Sequence, residues 1–413
     1  MLKYLRMRRL AWILLLLFLA SVATAEIFEP QDKLRTYSEI LMLRGRTEGP
    51  GALEVNDQKI KLNPDNTFSC GLVLKAGKNL VEVRRGEAKQ RLRILRLITY
   101  PDIEELYGGE KHWAWSQIVY LSTVGIIEGY PDLSFYPGNP VTRGELATWL
   151  ARVKKLPVPK LTEDVFFDVP KEHWRAPFIK AAVAAGYMKG YSREIFGIDD
   201  PVSRREAAEI AVIIEGLGIV EKIKLLFKDV PEAEKGAPPI YTAQERGLVI
   251  GVSRDIPIYE PGRALTRAEA AMLLSRFTYA QQSFKYLVDF EEGYTNERLC
   301  DLNVPPEIIS FSIDPREVAL KNTTSVKLRA WMAPREKFSP MAKVKADLSR
   351  IGGLPDAEMF DDGTHGDDIS GDRIYSLNIS FSPEQSGEYA LEVTATDLLG
   401  WEGKKQATIL ILE

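Results

Sequence analysis

The sequence predicts a multidomain α+β protein: an all-β module, a central all-α block of three tandem repeats, and a C-terminal all-β sandwich. Three observations predict it. The middle of the chain repeats itself three times with helical periodicity. Both flanks alternate apolar and polar residues between turn signals. The chain of 413 residues is too long for one typical domain.

The N-terminus sets the expected compartment. Lys3, Arg6, Arg8 and Arg9 precede an apolar core over 11–20, and Ala23, Thr24 and Ala25 form a small-x-small site before Glu26. This is the pattern of a secretory signal peptide over 1–25. The apolar run is short for a membrane span, which needs about 20 residues; an uncleaved anchor is the other reading. No Cys follows the run, and no later segment is apolar enough to span a bilayer, so no integral membrane segment is expected after cleavage.

The formal net charge is −4, from 54 Lys+Arg against 58 Asp+Glu. Removing the four cations of the leader leaves about −8. A nucleic-acid-binding surface spread over the molecule is excluded, and any anion site must be local. Cys70 and Cys300 lie in different segments. Export permits a disulfide between them, and two buried free thiols are the plainer alternative.

Residues 26–98 read as the first β module. "GALEVNDQKIKL" gives two short strands around Asn56-Asp57, a hairpin signal, and "KAGKNLVEVRR" gives a turn and an alternating strand.

The repeats follow, over 99–160, 161–222 and 223–280. Their openings are "YPDIEELYGGEKHW", "FFDVPKEHW" and "FKDVPEAEKGAPP", with Asp102, Asp168 and Asp229 in one place. A first helix then ends on Gly125, Gly186 or Gly247, where a left-handed residue costs least. Each unit closes with a short box: "PVTRGELA", "PVSRREAA" and "ALTRAEAA". Arg143, Arg204 and Arg267 stand 61 and 63 positions apart. Thr142, Ser203 and Thr266 can each cap a helix, with Glu145, Glu206 and Glu269 three residues on, which is the capping box. Behind each cap runs an amphipathic stripe, such as Leu146, Trp149, Leu150 and Val153. A unit this small cannot bury both of its helices alone, so the units should pack on one another.

These residues resemble the S-layer homology domain over about 100–280. The first unit carries the pattern through His112, Trp113, Gly125, Ile126, Ile127, Gly129, Tyr130, Asp132, Phe135, Pro137, Val141, Thr142, Arg143 and Glu145. The resemblance implies a pseudo-threefold assembly with grooves between units. It also implies attachment to an anionic, in places pyruvylated, secondary cell-wall polymer, or to peptidoglycan. The polymer-binding set it implies is Trp113, Asp132 and Arg143 in unit one, Trp174 and Arg204 in unit two, and Arg267 in unit three.

The box arginine has a physical reading of its own. It sits at the first helical position, where a cation is mildly unfavourable, by about 0.3–1 kcal/mol. A guanidinium beside free helix amides is a good oxyanion site; an ion pair with an acid of the neighbouring unit is the alternative. Trp113 and Trp174 are core residues or sugar platforms. His112 and His173 read as loop or capping residues. Unit two replaces Asp132 with Arg193 and unit three with Arg254. Unit three also lacks the His-Trp pair, so unit one is the best expected site.

Residues 281–302 read as a polar, aromatic linker. Residues 303–413 alternate as a β-sandwich: Val326, Leu328 and Ala330, then Tyr389, Leu391, Val393 and Ala395. Both β regions resemble bacterial immunoglobulin-like modules. The loop "FDDGTHGDDISGDRIYS" gathers Asp361, Asp362, Asp367, Asp368 and Asp372. These oxygens could hold Ca²⁺, though a self-capped glycine-aspartate turn is favoured. No cofactor is otherwise expected.

Catalysis is not expected. There are three His, at 112, 173 and 365, and no nucleophile triad or zinc pattern. The sequence therefore points to a non-catalytic cell-envelope anchor that displays its β modules. The alternatives are a peptidoglycan-binding structural protein of the periplasm and an accessory module of a glycan-processing system.

Overall fold

The computed structural model describes residues 25–104, 109–220, 227–234, 236–252, 257–335 and 339–413. The expected signal peptide, but for Ala25, and Arg254 lie outside them.

Both flanks are all-β. In the first, β1 (Glu26–Glu29), β3 (Ile40–Arg46) and β6 (Thr67–Val73) form one sheet. Strands β2 (Leu34–Thr36), β8 (Ala88–Arg96), β7 (Gly77–Arg85), β4 (Leu53–Val55) and β5 (Gln58–Ile60) form a second, in that order. Asn56 and Asp57 adopt positive φ in the β4–β5 turn, as a tight hairpin requires. Leu43, Phe68, Cys70, Leu72, Val81 and Ile94 pack between the sheets.

At the other end, β10 (Ile308–Asp314), β12 (Thr324–Met332) and β15 (Ile374–Phe381) face a second sheet. That sheet runs β11 (Glu317–Ala319), β17 (Glu402–Leu412), β16 (Gly387–Asp397), β13 (Met341–Asp347), β14 (Ala357–Met359). Strand β12 buries Val326, Leu328 and Ala330, the expected alternating set.

The middle carries the eight α-helices of the described residues. A single turn, α1 (Pro101–Glu104), opens it. Then come α2 (Trp115–Thr123) and α3 (Arg143–Val153) of unit one, α4 (Ala176–Ala184) and α5 (Arg204–Ile214) of unit two, and α6 (Ala237–Glu245) and α7 (Arg267–Ser275) of unit three. The helix α8 (Thr278–Val288) ends the block. All three units share one apolar core. None of the described helices is long and apolar enough to cross a membrane.

The packing order explains how three short units make one core. The second helix of each unit lies on the first helix of the next: α3 on α4, α5 on α6, and α7 back on α2. The repeat therefore closes into a ring. Three backbone bonds seal its centre: Val141 N–H donates to Leu265 O (2.9 Å), Leu265 N–H to Val202 O (2.8 Å), and Val202 N–H to Val141 O (3.0 Å).

The segment expected as a linker over 281–302 is largely built into the fold. Its first part is α8, which buries Ala280 and Leu287. Further on, β9 (Asp301–Leu302) adds a strand to the first sheet beside β6. Lys78 Nζ donates to Asp289 O and Glu292 O, each at 2.6 Å, and Arg93 pairs with Glu291 at 3.0 Å. Cys300 comes back into the core that holds Cys70. Both are free thiols, pushed up to about 12 by burial.

Candidate functional site: three grooves around a closed ring

Each unit is tied together before it meets its neighbours. Asp102 accepts the amides of Phe135 and Tyr136; Asp168 those of Phe196, Gly197 and Ile198; Asp229 those of Tyr259 and Glu260. The aspartate that recurs in all three units thus folds the loop before the box onto the start of its own unit. Gly125, Gly186 and Gly247 sit at φ of 73°, 73° and 68° after the first helices, a region in which a side chain would be strained.

The box folds as its sequence dictates. The Thr142 hydroxyl accepts from the Glu145 amide, and the Glu145 carboxylate accepts from the Thr142 amide; Thr266 and Glu269 do the same. Ser203 caps α5 without a return bond from Glu206. Glu206 instead faces Arg143.

The three arginines do not point into solvent. Arg143, Arg204 and Arg267 are 2%, 6% and 1% exposed. Each reaches into the next unit and repeats one set of bonds. Arg267 Nε donates to Phe135 O (2.8 Å), Nη1 to Glu145 (2.6 Å) and Nη2 to Glu128 O (2.7 Å). Arg204 donates to Tyr259 O (2.7 Å), Glu269 (2.8 Å) and Ile250 O (2.8 Å). Arg143 donates to Phe196 O (2.9 Å), Glu206 and Lys189 O. Each guanidinium also lies 4.5–4.7 Å from the ring centre of Phe135, Tyr259 or Phe196.

The helix N-termini are filled too. The first two amides of α3 donate to Asp200 O and Ile198 O, those of α5 to Arg263 O and Pro261 O, and those of α7 to Asn139 O and Pro137 O. The third donates to the cap hydroxyl. This corrects the expectation of open amide donors beside a free guanidinium. A buried cation needs a partner at close range. The ring supplies it from the neighbouring unit, so the box arginines join the units together.

What remains open lies beside them, in three grooves of unequal character. Trp113, 59% exposed, does not meet Arg143 or Asp132. Because α2 packs on α7, it joins Arg204, Ile250, Tyr259, Arg263 and Arg276 around a cleft of about 370 Å³ between units three and one. Here Arg276 donates to Leu248 O (2.9 Å) and has no carboxylate partner among the described residues. Burial holds its pKa below the usual arginine range.

The groove between units one and two holds Trp174, 51% exposed. Arg175 lies 4.4 Å and Arg152 6.0 Å from its ring centre. Both cations are neutralised: Arg152 by Glu128, and Arg175 by Glu128 (3.5 Å) and Glu145 (3.7 Å). Asp132 belongs to this side, through the Tyr136 hydroxyl that donates to it and the Tyr136–Tyr130 ring contact next to Arg267. The groove between units two and three has no tryptophan; Tyr191 lies over Arg143 at 4.4 Å, and Arg205 pairs with Glu234.

Sequence reading thus found the tryptophans but not Arg276, Arg152 or Tyr259. A signal existed. Arg152 and Arg276 stand at one helical position in units one and three, where unit two has Ile213.

The aspartate loop divides. Carboxylate oxygens of Asp361, Asp367 and Asp372 lie within 4.8 Å of one another. Asp362 turns to Thr364, and Asp368 to Lys327 at 2.9 Å. Asp361 already accepts the amides of Gly371, Asp372 and Arg373, and Asp367 that of Gly363. Burial raises the Asp361 pKa, and Asp367 and Asp372 add to this.

The geometry defines a class: tandem helical repeats that close on themselves and present grooves at their seams. Residues 109–147, 166–208 and 226–271 match the S-layer homology domain, and the chain carries three such domains. It is 29% identical over 274 residues to the S-layer protein sap of Bacillus anthracis, covering 62% of this chain and 31% of that protein. It is 32% identical over 140 residues to a cellulosome-anchoring protein of Acetivibrio thermocellus, covering 32% and 30%. An amylopullulanase of Thermoanaerobacterium thermosulfurigenes is 26% identical over 181 residues, covering 43% and 9%. The chain spans less than a third of the length of each of these relatives.

Proposed function

We propose that the ring anchors the chain to the cell envelope by holding an acidic glycan of the wall, a secondary polymer or peptidoglycan, in the cleft between units three and one. The observation that carries this is Arg276. Among the described residues it is the groove cation without a carboxylate, the cleft's Glu269 being taken by Arg204 and Arg263, and it stands beside an exposed tryptophan face. A ring face takes the apolar side of a sugar, and a guanidinium takes its carboxylate or phosphate in a forked geometry. The reading keeps Trp113 and Arg204 as contacts and adds Arg276. It gives Arg143 and Arg267 the task of closing the ring that shapes the cleft.

The β regions are read as immunoglobulin-like modules that the anchored ring displays. The chain is read as non-catalytic, on its three His and the lack of a nucleophile triad or zinc pattern in the sequence. The aspartate loop is read as a self-capped turn; a rise in melting temperature with millimolar Ca²⁺ would overturn that. Sedimentation with native cell walls tests the anchoring. Wild type should pellet, and Trp113→Ala with Arg276→Gln should stay in solution. Equal pelleting of the two would refute the assignment.

A further inference from the structure

A second cleft, of about 510 Å³, lies where the first β module meets the ring. It belongs to neither the seam grooves nor the box. One wall is α8, which turns two faces to two environments. Ala280, Phe284 and Leu287 pack on the core. Tyr279, Gln282, Ser283 and Tyr286, at i, i+3, i+4 and i+7, line the cleft. Tyr279 and Tyr286 are 44% and 47% exposed. An ammonium props each ring: Lys154 lies 4.4 Å from the centre of Tyr279, and Lys78 4.1 Å from that of Tyr286.

The cleft is also cationic. Lys155, from the end of unit one, and Arg298, from the returning segment, both line it and are both exposed. Among the described residues neither side chain has a carboxylate partner or a hydrogen bond, and no acid lines the cleft. Asp289 and Glu292 act on the buried Lys78, which Arg298 also faces as a like charge, and Glu215 is taken up by Lys154 and Thr278. Three segments distant in sequence thus bring cations together in a chain that is acidic overall. Like charges held together unpaired are unfavourable until an anion joins them.

We propose that this junction cleft is a second binding site, for a single acidic sugar unit. Its phosphate or carboxylate lies between Lys155 and Arg298, and its ring lies along the Tyr279–Gln282–Ser283–Tyr286 face. Aromatic faces take C–H surfaces, the amide and hydroxyl take sugar hydroxyls, and the cations take the oxyanion.

Isothermal titration of the full chain at fixed ionic strength tests it, with glucose 1-phosphate, glucuronate and glucose as probes. At least one acidic probe should bind and glucose should not. Lys155→Gln with Arg298→Gln should weaken that binding by about tenfold or more, as expected for losing charge-assisted bonds. Because the ring cleft is itself read as taking an acidic sugar, all variants are compared in the Arg276→Gln background, in which junction-cleft binding should remain. Both exchanged side chains are exposed, and an unaltered melting temperature checks the fold. The proposal is overturned if neither acidic probe binds, if glucose binds as well, or if the double variant keeps the affinity. Loss in Arg276→Gln alone would move the ligand to the ring cleft, ending this proposal while the anchoring reading stands.

Discussion

The seam between units one and two and the seam between units three and one are built from the same parts. Each has a tryptophan at a helix start, a buried arginine behind it, and a second arginine at the end of the box helix. They differ in counter-charge. Glu128 and Glu145 neutralise Arg152 and Arg175 in the first. In the second, Arg276 meets, among the described residues, only the backbone carbonyl of Leu248. The difference teaches that threefold architecture does not imply three equal sites. A ring needs every unit to close it, whereas the charge balance of each seam is free to differ, and among the described residues Arg276 is the seam arginine without a carboxylate.

The largest way to break the comparison is to break the ring beneath both seams. Arg267→Ala would strip the buried Glu145 of its nearest cation, leaving Arg175 at 3.7 Å, and remove the bonds to Phe135 O and Glu128 O, so it should cost about 3–5 kcal/mol in chemical denaturation. Its effect on wall binding should follow the loss of fold. Arg152→Ala, part-exposed and outside the ring bonds, should cost under about 1 kcal/mol.

The two glutamates at neighbouring seams sharpen the comparison through pH. Burial raises the Glu206 pKa, and Arg143 only partly opposes it. Burial acts on Glu269 too, but bonds from Arg263, the Thr266 amide and the Arg204 charge outweigh it, and its pKa is lowered. A lowered folded pKa gives stability that is complete above the ordinary glutamate value and lost as pH falls through the folded one. A raised pKa gives stability present below the ordinary value and lost as pH rises. Glu269→Gln should therefore cost more at pH 7 than at pH 4, and Glu206→Gln less, in paired urea titrations.

A further effect is confined to one turn. Gly125→Ala places a side chain at φ 73° with open space around it. Backbone strain alone should lower stability by about 1–2 kcal/mol, with wall binding intact at low temperature.

Much of this was legible in the sequence. Repeat spacing gave three units, and Thr142, Ser203 and Thr266 gave the starts of α3, α5 and α7. Alternation in Val326, Leu328 and Ala330 gave a strand of the last module. The destination of Arg143, Arg204 and Arg267 was not legible. A cation at a helix start reads the same whether it meets a ligand or a glutamate of the next unit, and only the packing of one unit's second helix on the next unit's first decides. The same packing sent Trp113 to unit three. The two-residue strand β9 was hidden because so short a segment has no period to read.

The most direct test of one open seam among three is to remove the matching arginine from each of two seams and compare wall sedimentation. Arg276→Gln should abolish or strongly weaken pelleting, while Arg152→Gln should pellet like wild type. Equal loss in both, or loss in Arg152→Gln alone, would contradict the account.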